Sequence, residues 1–408
     1  MTRRDFLRTA TLAAAPTLVR HRALAASPLI SSIAADVLIE GRSGKHPSWF
    51  HPRACIVPGP QTNRILMTMQ EITGSDAFSP VQFVLSDDLG AHWTEPQPVN
   101  ALGRLPAIDG VEEGVCDVVP EWHPQTQSVL ALGHNVFYRK NIFFKDQPSR
   151  RPVYAVWKDG QWGPRNYLEW NDPRGSYIYS NNCGQRVVMP DGRILLAFTY
   201  GTHPSKPRSV SGVICTFDGQ SLRVDSVGEE IKGDAGRGLL EPSVTNFTNR
   251  YFLTIRAEDG RGYVCSGTDG LNWTARKAWS WDDGSPIGMS STQQHWVTHS
   301  DGLFLAYTRS DTSNSKVMRW RSPLWISQVD PDRLHLIRET EQILIPMTGD
   351  GVNAPKSVPL MGNFHITNVS STETWVTDGE AFVGNNWRGN LNRARIRWEK
   401  PNQLIAKP

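Results

Sequence analysis

One octet, residues 86–93, constrains the fold of this chain more than any other feature. It reads Ser-Asp-Asp-Leu-Gly-Ala-His-Trp and fits the pattern S-x-D-x-G-x-x-W. In such an octet the Ser86 and Asp88 side chains can bind backbone groups of a turn. Gly90 permits a positive φ, and Trp93 can pack beneath the turn. The octet therefore predicts a tight β-hairpin.

A second octet, residues 266–273, departs from this pattern at one position. Ser266, Gly270 and Trp273 match, whereas Thr268 takes the Asp position and Asp269 follows one residue later. We assign both octets a structural role, because hairpins of this kind are expected on the outer rim of a fold, away from a central site.

Short apolar runs of strand length, each bounded by turn residues, recur along the chain. They cover residues 64–69, 82–85, 128–132, 193–198, 251–255 and 303–307. Evenly spaced hairpins favour a radial array of blades, and a four-stranded blade takes roughly 45 to 65 residues. We therefore predict an all-β, six-bladed β-propeller, with seven blades as the alternative.

The two ends of the chain are predicted to meet in one blade. Residues 35–40 and 393–398 are both strand-like, and an open ring would leave two exposed sheet edges. No linker-like stretch divides the chain. We expect a single domain over residues 26–408.

The first 25 residues are typical of an export signal. Residues 2–8 read Thr-Arg-Arg-Asp-Phe-Leu-Arg, which fits a twin-arginine signal, and an apolar run and Ala23-Leu24-Ala25 follow. The run is too short to span a bilayer, and no later stretch is long enough. The sequence predicts a signal peptide over residues 1–25, a periplasmic or secreted protein and no membrane insertion.

Charge and composition narrow the expected partners. The whole chain carries a net charge of +3, but the predicted signal holds five arginines against one aspartate, which leaves the remainder near −1. This balance argues against a nucleic-acid partner. The five cysteines have no C-x-x-C spacing, the histidines no metal-ligand spacing, and no dinucleotide, haem or iron–sulfur motif occurs. We predict no cofactor and no catalytic metal, leave a structural ion open, and expect a monomer.

The chain resembles the sialidase superfamily, whose Asp-box the two octets match. Residues 51–57, His-Pro-Arg-Ala-Cys-Ile-Val, stand about 30 residues before the first octet, where sialidases carry an arginine that binds the substrate carboxylate. Residues 241–244, Glu-Pro-Ser-Val, are followed by the strand ending at Arg256, by Tyr263 and by the second octet. This run is similar to the sialidase segment that supplies a catalytic Glu and a second carboxylate-binding Arg.

The resemblance implies roles for particular residues. Arg53 and Arg256 would clamp a carboxylate, Glu241 would be the acidic partner of a nucleophile, and Asp76 would be the general acid. Arg309, Arg319 and Arg321 are candidates for a third arginine. Sialidases also need a nucleophilic tyrosine, and this chain reads Gly-Asn-Phe-His-Ile-Thr at residues 362–367, where it is expected. Tyr263, in the run from Glu241 to the second octet, is a further substrate-binding candidate. His295 opens a predicted strand and is another, with packing as the alternative role.

A second set of residues is typical of different chemistry. His134 and Tyr138 follow a predicted strand, and Arg186 ends a segment rich in Tyr and Asn. An Arg that neutralises a uronate carboxylate, with a base and a Tyr or His proton donor, would support β-elimination. This grouping looks similar to that of some propeller-fold polysaccharide lyases.

The sequence thus favours a secreted enzyme that cleaves glycosidic bonds in an acidic oligo- or polysaccharide, of the sialidase-type glycosidase class. A uronate lyase using His134, Tyr138 and Arg186 is the second hypothesis. A non-catalytic glycan-binding propeller is the third, because it would keep the Trp and Arg residues without needing Glu241.

Overall fold

The computed structural model describes residues 29–59 and 62–405. The predicted signal peptide, residues 1–25, lies outside the described residues. We number the strands β1–β30 in chain order; β1 is Ile30–Ile39. Among the described residues, no helix has the length and apolar character needed to cross a bilayer.

The first three sheets contain strands that follow one another in the chain. The first holds β2 Trp49–Val57, β3 Arg64–Gly74, β4 Ala77–Phe78, β5 Gln82–Ser86 and β6 Gln97–Pro98. The second holds β7 Leu105–Pro106, β8 Val111–His123, β9 Ser128–Arg139, β10 Ile142–Phe143, β11 Pro152–Lys158, β12 Gln161–Trp162 and β13 Asn166–Tyr167. The third holds β14 Ile178–Ser180, β15 Val187–Val188, β16 Ile194–Gly201, β17 Ser209–Phe217 and β18 Leu222–Val227.

Two more sheets continue in the same way, and the last returns to the start of the chain. The fourth holds β19 Leu240–Phe247, β20 Arg250–Arg256, β21 Gly262–Gly267 and β22 Lys277–Ala278. The fifth holds β23 His295–His299, β24 Gly302–Tyr307, β25 Leu324–Asp330, β26 His335–Leu336 and β27 Gln342–Ile345. The sixth holds β28 His365–Ser370, β29 Glu373–Gly379 and β30 Leu391–Trp398, with β1 on its edge.

Short 3-10 helices of three residues each lie in the connections. In the described part of the chain they are Asn100–Leu102, Pro173–Gly175, Thr312–Asn314, Met318–Trp320, Arg338–Thr340, Pro355–Ser357 and Val383–Asn385.

The six sheets form the blades of a β-propeller, which confirms the predicted all-β, six-bladed fold. β1 pairs antiparallel with β30, with Ala35 opposite Ala394. The predicted closure between the two ends of the chain is therefore also confirmed. Because this pairing completes the last blade, the N-terminal strand satisfies backbone groups that would otherwise form an exposed edge.

Apolar side chains of neighbouring blades fill the spaces between the sheets. Leu130 and Tyr154 of the second blade, for example, share one buried cluster with Leu196 and Phe198 of the third. Each fully buried side chain of this kind contributes about 1.5–3 kcal/mol. The first strands of the blades face the axis: β2 contacts both β8 and β28, and β19 contacts β23.

The first octet forms a hairpin that joins two blades. The Gly90 amide donates to Ser86 Oγ at 2.8 Å, and Gly90 has a φ of +81°. Trp93 packs against Trp375 of the sixth blade, with ring centroids 6.4 Å apart. A β-carbon at Gly90 would collide with the same Trp375 ring. The octet therefore needs glycine for two reasons, its backbone conformation and its contact across the blade boundary.

The second octet contacts its neighbouring blade in the same way. Asp269 Oδ1 accepts the amides of Leu271 and Asn272 at 2.9 and 2.8 Å, so the displaced aspartate still binds the turn backbone. Gly270 has a φ of +77°, and a β-carbon there would collide with Leu195 of the third blade.

All five cysteines lie in the described residues, and all are buried and free.

Candidate active site

A polar cleft of about 430 Å³ opens at one end of the central channel. All six blades contribute to its lining. Some of the residues lie near the beginning of an inner strand, such as His51 of β2 and Glu241 of β19, and others lie at the end of the strand that pairs with it, such as Arg256 of β20. A second cavity, of about 620 Å³, is lined by residues further along the same strands, such as Ile56, Glu121 and Thr245. The propeller therefore has two distinct mouths.

Backbone conformation marks the first mouth. His51, Asp117, Asn182 and Glu241, which all line the cleft, have φ values of +51°, +55°, +50° and +43°. Three of them sit at register shifts in β2, β8 and β19. Left-handed backbone costs a non-glycine residue about 1–3 kcal/mol and collects at functional sites. A β-bulge also changes the direction of a side chain. The bulges in β2, β8 and β19 therefore direct His51, Asp117 and Glu241 into the cleft.

Asp117 lies among basic side chains in the cleft. Its Oδ1 is 3.4 Å from His51 Nε2 and 3.3 Å from Arg53 Nη2. Burial raises the pKa of the carboxyl, but His51, His134, Arg53 and Arg150 outweigh it and lower the pKa to about 2. Asp117 is therefore ionised across the whole physiological range.

Arg53 does not line the cleft, which corrects its expected position as a substrate clamp. Its side chain is fully buried, donates to the Phe364 carbonyl and reaches Asp117 from below. The register shift between Phe50 and Arg53 explains the difference, because His51 takes the position that faces the cleft.

Glu241 and Arg256, two residues to which the resemblance gives roles, both line the cleft and contact each other. Arg256 Nη1 donates to Glu241 Oε1, and Arg256 Nε lies 3.3 Å from Ser291 Oγ. Oε2 of Glu241 makes no hydrogen bond within the described part of the chain. Asp76 also lines the cleft and is exposed at its edge.

Two of the three candidates for a third arginine line the cleft and one does not. Arg319 and Arg321 line the cleft. Arg309 does not, since it pairs with Glu341 at 2.6 Å. Burial lowers the pKa of Arg321 to about 10, which leaves its guanidinium charged at neutral pH.

The grouping expected for a lyase is not assembled. His134 lines the cleft, whereas Arg186 lines the opposite cavity, where it pairs with Glu121 at 2.9 Å. Tyr138 is buried beneath Arg104, whose guanidinium carbon lies 3.4 Å from the ring centroid. His134 lies on β9 of the second blade and Arg186 directly precedes β15 of the third, and the two side chains reach different mouths.

His134 is held as a neutral imidazole. Arg150 Nη2 contacts His134 Nε2, and Cys116 Sγ lies 3.3 Å from the same nitrogen. Burial first, and then the Arg150 charge, lower the pKa of His134 to about 3. His134 is therefore an acceptor from Arg150 throughout the physiological pH range.

Two other expected binding residues lie outside the cleft. Tyr263 stands on β21, the third strand of its blade, and donates to Asp259. His295 is buried, with Nδ1 2.6 Å from Ser243 Oγ. All nine tyrosines belong to the described residues, and none of them lines the cleft.

One group of side chains has the composition of a metal site. Single ligand atoms of Cys116, Asp117 and His134 all lie within 4.8 Å of one another. However, Arg150 contacts the His134 nitrogen and Arg53 reaches the Asp117 carboxylate. Two guanidinium groups at the ligand atoms oppose a further cation, so these residues fit a metal poorly.

No protein-family model matches the sequence, and no curated protein matches it either. Solved structures do match. A protein of unknown function from Dyadobacter fermentans has a TM-score of 0.62 and 14% identity, covering 90% of this chain and 98% of that one. The Trypanosoma rangeli sialidase in complex with the inhibitor DANA has a TM-score of 0.61 and 14% identity over 90% of this chain. The fold is sialidase-like.

A second sialidase, described as a Hadza microbial sialidase, has a TM-score of 0.57 and 11% identity, and the match covers 89% of this chain and 68% of that one. The match covers only 60% of the T. rangeli sialidase chain. At these identities the likeness shows the sialidase-like fold, and the chemistry has to be argued from this chain's own cleft.

Several residues that line the cleft were not predicted from the sequence. Asp117 is one charged residue in an otherwise apolar strand segment, Gly-Val-Cys-Asp-Val-Val-Pro, and that contrast was a usable signal. Arg150, Arg208 and Arg237 stand in connections before strands and carry no motif, so nothing in the sequence marked them as neighbours.

Proposed function

We propose that this protein is a glycoside hydrolase that cleaves an acidic glycan in the cleft. One observation carries the proposal: the carboxyl groups of Asp76, Asp117 and Glu241 and the guanidinium groups of Arg256 and Arg321 converge on one concave surface. Each of the three acidic residues has a positive φ. Strained backbone collects at active sites and at ligand clamps, which supports a functional site at this surface.

Arg256 and Arg321 are proposed to hold a carboxylate of the substrate. A planar guanidinium can donate two charge-assisted hydrogen bonds to one carboxylate. Because Arg256 is anchored by Glu241 and Ser291, its orientation is fixed before the substrate binds. This preorganisation reduces the entropic cost of placing the sugar.

The three carboxyl groups would divide the chemistry. Asp76, exposed at the edge of the cleft, would protonate the leaving oxygen. Glu241 would take a proton from the attacking water through its free Oε2. Asp117 remains ionised and would stabilise the positive charge that develops on the sugar ring in the transition state.

The absence of a cleft tyrosine in the described chain favours inversion of configuration. A retaining sialidase mechanism requires a nucleophile at the anomeric carbon, whereas an inverting one needs two carboxyl groups with a water between them, about 6.5–9.5 Å apart. We therefore propose direct attack by water.

The mature protein should be incubated with a panel of acidic polysaccharides while new reducing ends and ultraviolet-absorbing unsaturated sugars are both measured. Hydrolysis predicts reducing ends alone. Unsaturated products would overturn the hydrolase proposal in favour of elimination. Binding without any cleavage would favour the glycan-binding alternative. For a cleaved substrate, proton NMR of the first product formed should show the inverted anomer.

A further inference from the structure

Three arginines form a cluster on the side of the cleft made by the second, third and fourth blades. Arg150 precedes β11, Arg208 precedes β17, and Arg237 lies in the connection to β19. The Arg208 amide donates to the Arg237 carbonyl at 2.9 Å, which ties two of these segments together. All three side chains line the cleft.

Only one of the three positive charges in this cluster forms an ion pair with an acid. Arg237 pairs with Glu258, at 2.9 Å from Nε to Oε1. Arg150 contacts the neutral His134 imidazole and the Asn135 carbonyl. The Arg208 guanidinium makes no hydrogen bond or ion pair to any part of the chain that the structure describes. Two of the three cations therefore have no acidic partner.

The arrangement is costly without a ligand. Burial first, and then the charges of Arg150 and Arg237, lower the pKa of Arg208 to about 10, and its guanidinium remains charged at neutral pH. Like charges in a partly buried site repel each other more strongly than in water. An anion placed between Arg150 and Arg208 would remove this repulsion and supply the missing hydrogen-bond acceptors.

We propose that Arg150 and Arg208 form a second anion-binding subsite, which takes a sulfate ester or a second carboxylate of a polyanionic glycan. This inference rests on the proposed function in so far as the ligand is a glycan. The subsite comes from the second and third blades, whereas Arg256 and Arg321 come from the fourth and fifth. A substrate that bridges them would carry at least two anionic groups.

Direct binding of defined oligosaccharides tests the subsite without relying on cleavage. Calorimetry at about 0.15 M salt, where weak surface attraction is largely screened, should compare three probes: a chondroitin sulfate tetrasaccharide, its desulfated form, and its carboxyl methyl ester. We expect wild type to bind the sulfated tetrasaccharide at least tenfold more tightly than one of the two modified forms. Loss on desulfation identifies a sulfate ester. Esterification also removes the carboxylate proposed for Arg256 and Arg321, so a loss on esterification identifies a carboxylate at the subsite only where that loss disappears in Arg208→Gln.

Variants assign that preference to the subsite. Arg208→Gln should abolish the tenfold preference, and Arg208→Lys should restore part of it because the charge returns without the planar fork. Arg223→Gln, on an exposed strand position of the third blade, is the matched control and should bind like wild type. Circular dichroism and the melting temperature check that each variant is folded.

The outcomes separate the two proposals. If folded Arg208→Gln binds all three probes within twofold of wild type, or if wild type shows no preference, the subsite is wrong. If the preference depends on Arg208 but no acidic glycan is cleaved, the subsite stands and the hydrolase proposal fails.

Discussion

The two mouths of the propeller differ in how their arginines are paired with acidic residues. In the larger cavity Arg186 pairs with Glu121 at 2.9 Å and also donates to the Val119 carbonyl at 3.1 Å. In the cleft the Arg208 guanidinium has no such partner among the described residues, and Arg150 contacts the neutral His134 imidazole and the Asn135 carbonyl. A satisfied ion pair supports the fold, whereas an unsatisfied cluster is available to a ligand.

Removing the ionised carboxylate of the cleft should have the largest effect. Asp117→Asn keeps the shape of the side chain but deletes the charge that would stabilise the transition state. We expect kcat/KM on the cleaved glycan to fall by about 10²–10³-fold. Steady-state kinetics would measure it. An Asp117→Asn enzyme within threefold of wild type would show that the charge has no part in cleavage.

Asp378 offers a test of a buried carboxyl beside the cleft. It accepts the amides of Gly362 and Asn363, the former at 2.8 Å, and both residues line the cleft. Burial raises the pKa of Asp378 to about 7, so the folded protein holds a proton that the unfolded chain releases near pH 4. Its favourable contribution is complete below about pH 4 and is lost as the pH rises to about 7.

Replacing Asp378 removes that titration. The free energy of unfolding of Asp378→Asn, relative to wild type, should therefore increase steadily between about pH 4 and pH 7. Urea unfolding at several pH values would measure the difference. A difference that does not change with pH over this range would contradict the raised pKa.

Breaking the ion pair of the opposite mouth should cost stability and spare activity. Arg186→Met leaves the Glu121 carboxylate without its partner, which typically costs 3–5 kcal/mol for a buried pair. We expect about 3 kcal/mol, because the Glu121 side chain is 35% exposed. Urea unfolding should show the loss, and Arg186→Met/Glu121→Leu should recover part of it. A selective loss of kcat in the folded single variant would instead place Arg186 in the chemistry.

The smallest expected difference is the one between two glycines, Gly90 of the first octet and Gly160, which is a matched control inside the molecule. Gly90 and Gly160 have nearly equal φ values, +81° and +80°, but a β-carbon would meet Trp375 at Gly90 and nothing within 4 Å at Gly160. Gly160→Ala should cost about 1 kcal/mol for the backbone alone. Gly90→Ala should cost about 1–3 kcal/mol more, because of overpacking. Equal losses in chemical denaturation would show that the contact between blades is unimportant.

Local patterns in the sequence were sufficient to predict the fold. The runs at 64–69 and 251–255 fall in β3 and β20, and the ends of the chain close one blade. Such features depend on neighbouring residues, on turn chemistry and on the need to cover sheet edges. The recurring strands and turns of the chain were therefore enough to predict the architecture, although the matching Dyadobacter fermentans and Trypanosoma rangeli structures are only 14% identical to it.

The site was predicted only in part, because its geometry depends on bulges. Glu241, Asp76 and Arg256 line the cleft, but Arg53 lies beneath it and Arg186 faces the other mouth. A one-residue register shift in β2 exchanges the positions of His51 and Arg53. Sequence spacing cannot reveal such a shift when the residue involved is not glycine, and it cannot show that connections from three blades bring Arg150, Arg208 and Arg237 together.

The central claim, that the cleft hydrolyses an acidic glycan with its own carboxyl groups, is tested most directly by Glu241→Gln. The release of reducing ends from the best substrate should be compared among wild type, Glu241→Gln and the exposed control Glu95→Gln. General-base catalysis predicts a loss of about 10²–10⁴-fold in kcat for Glu241→Gln and no change for the control. Cleavage by folded Glu241→Gln at the wild-type rate would contradict the account.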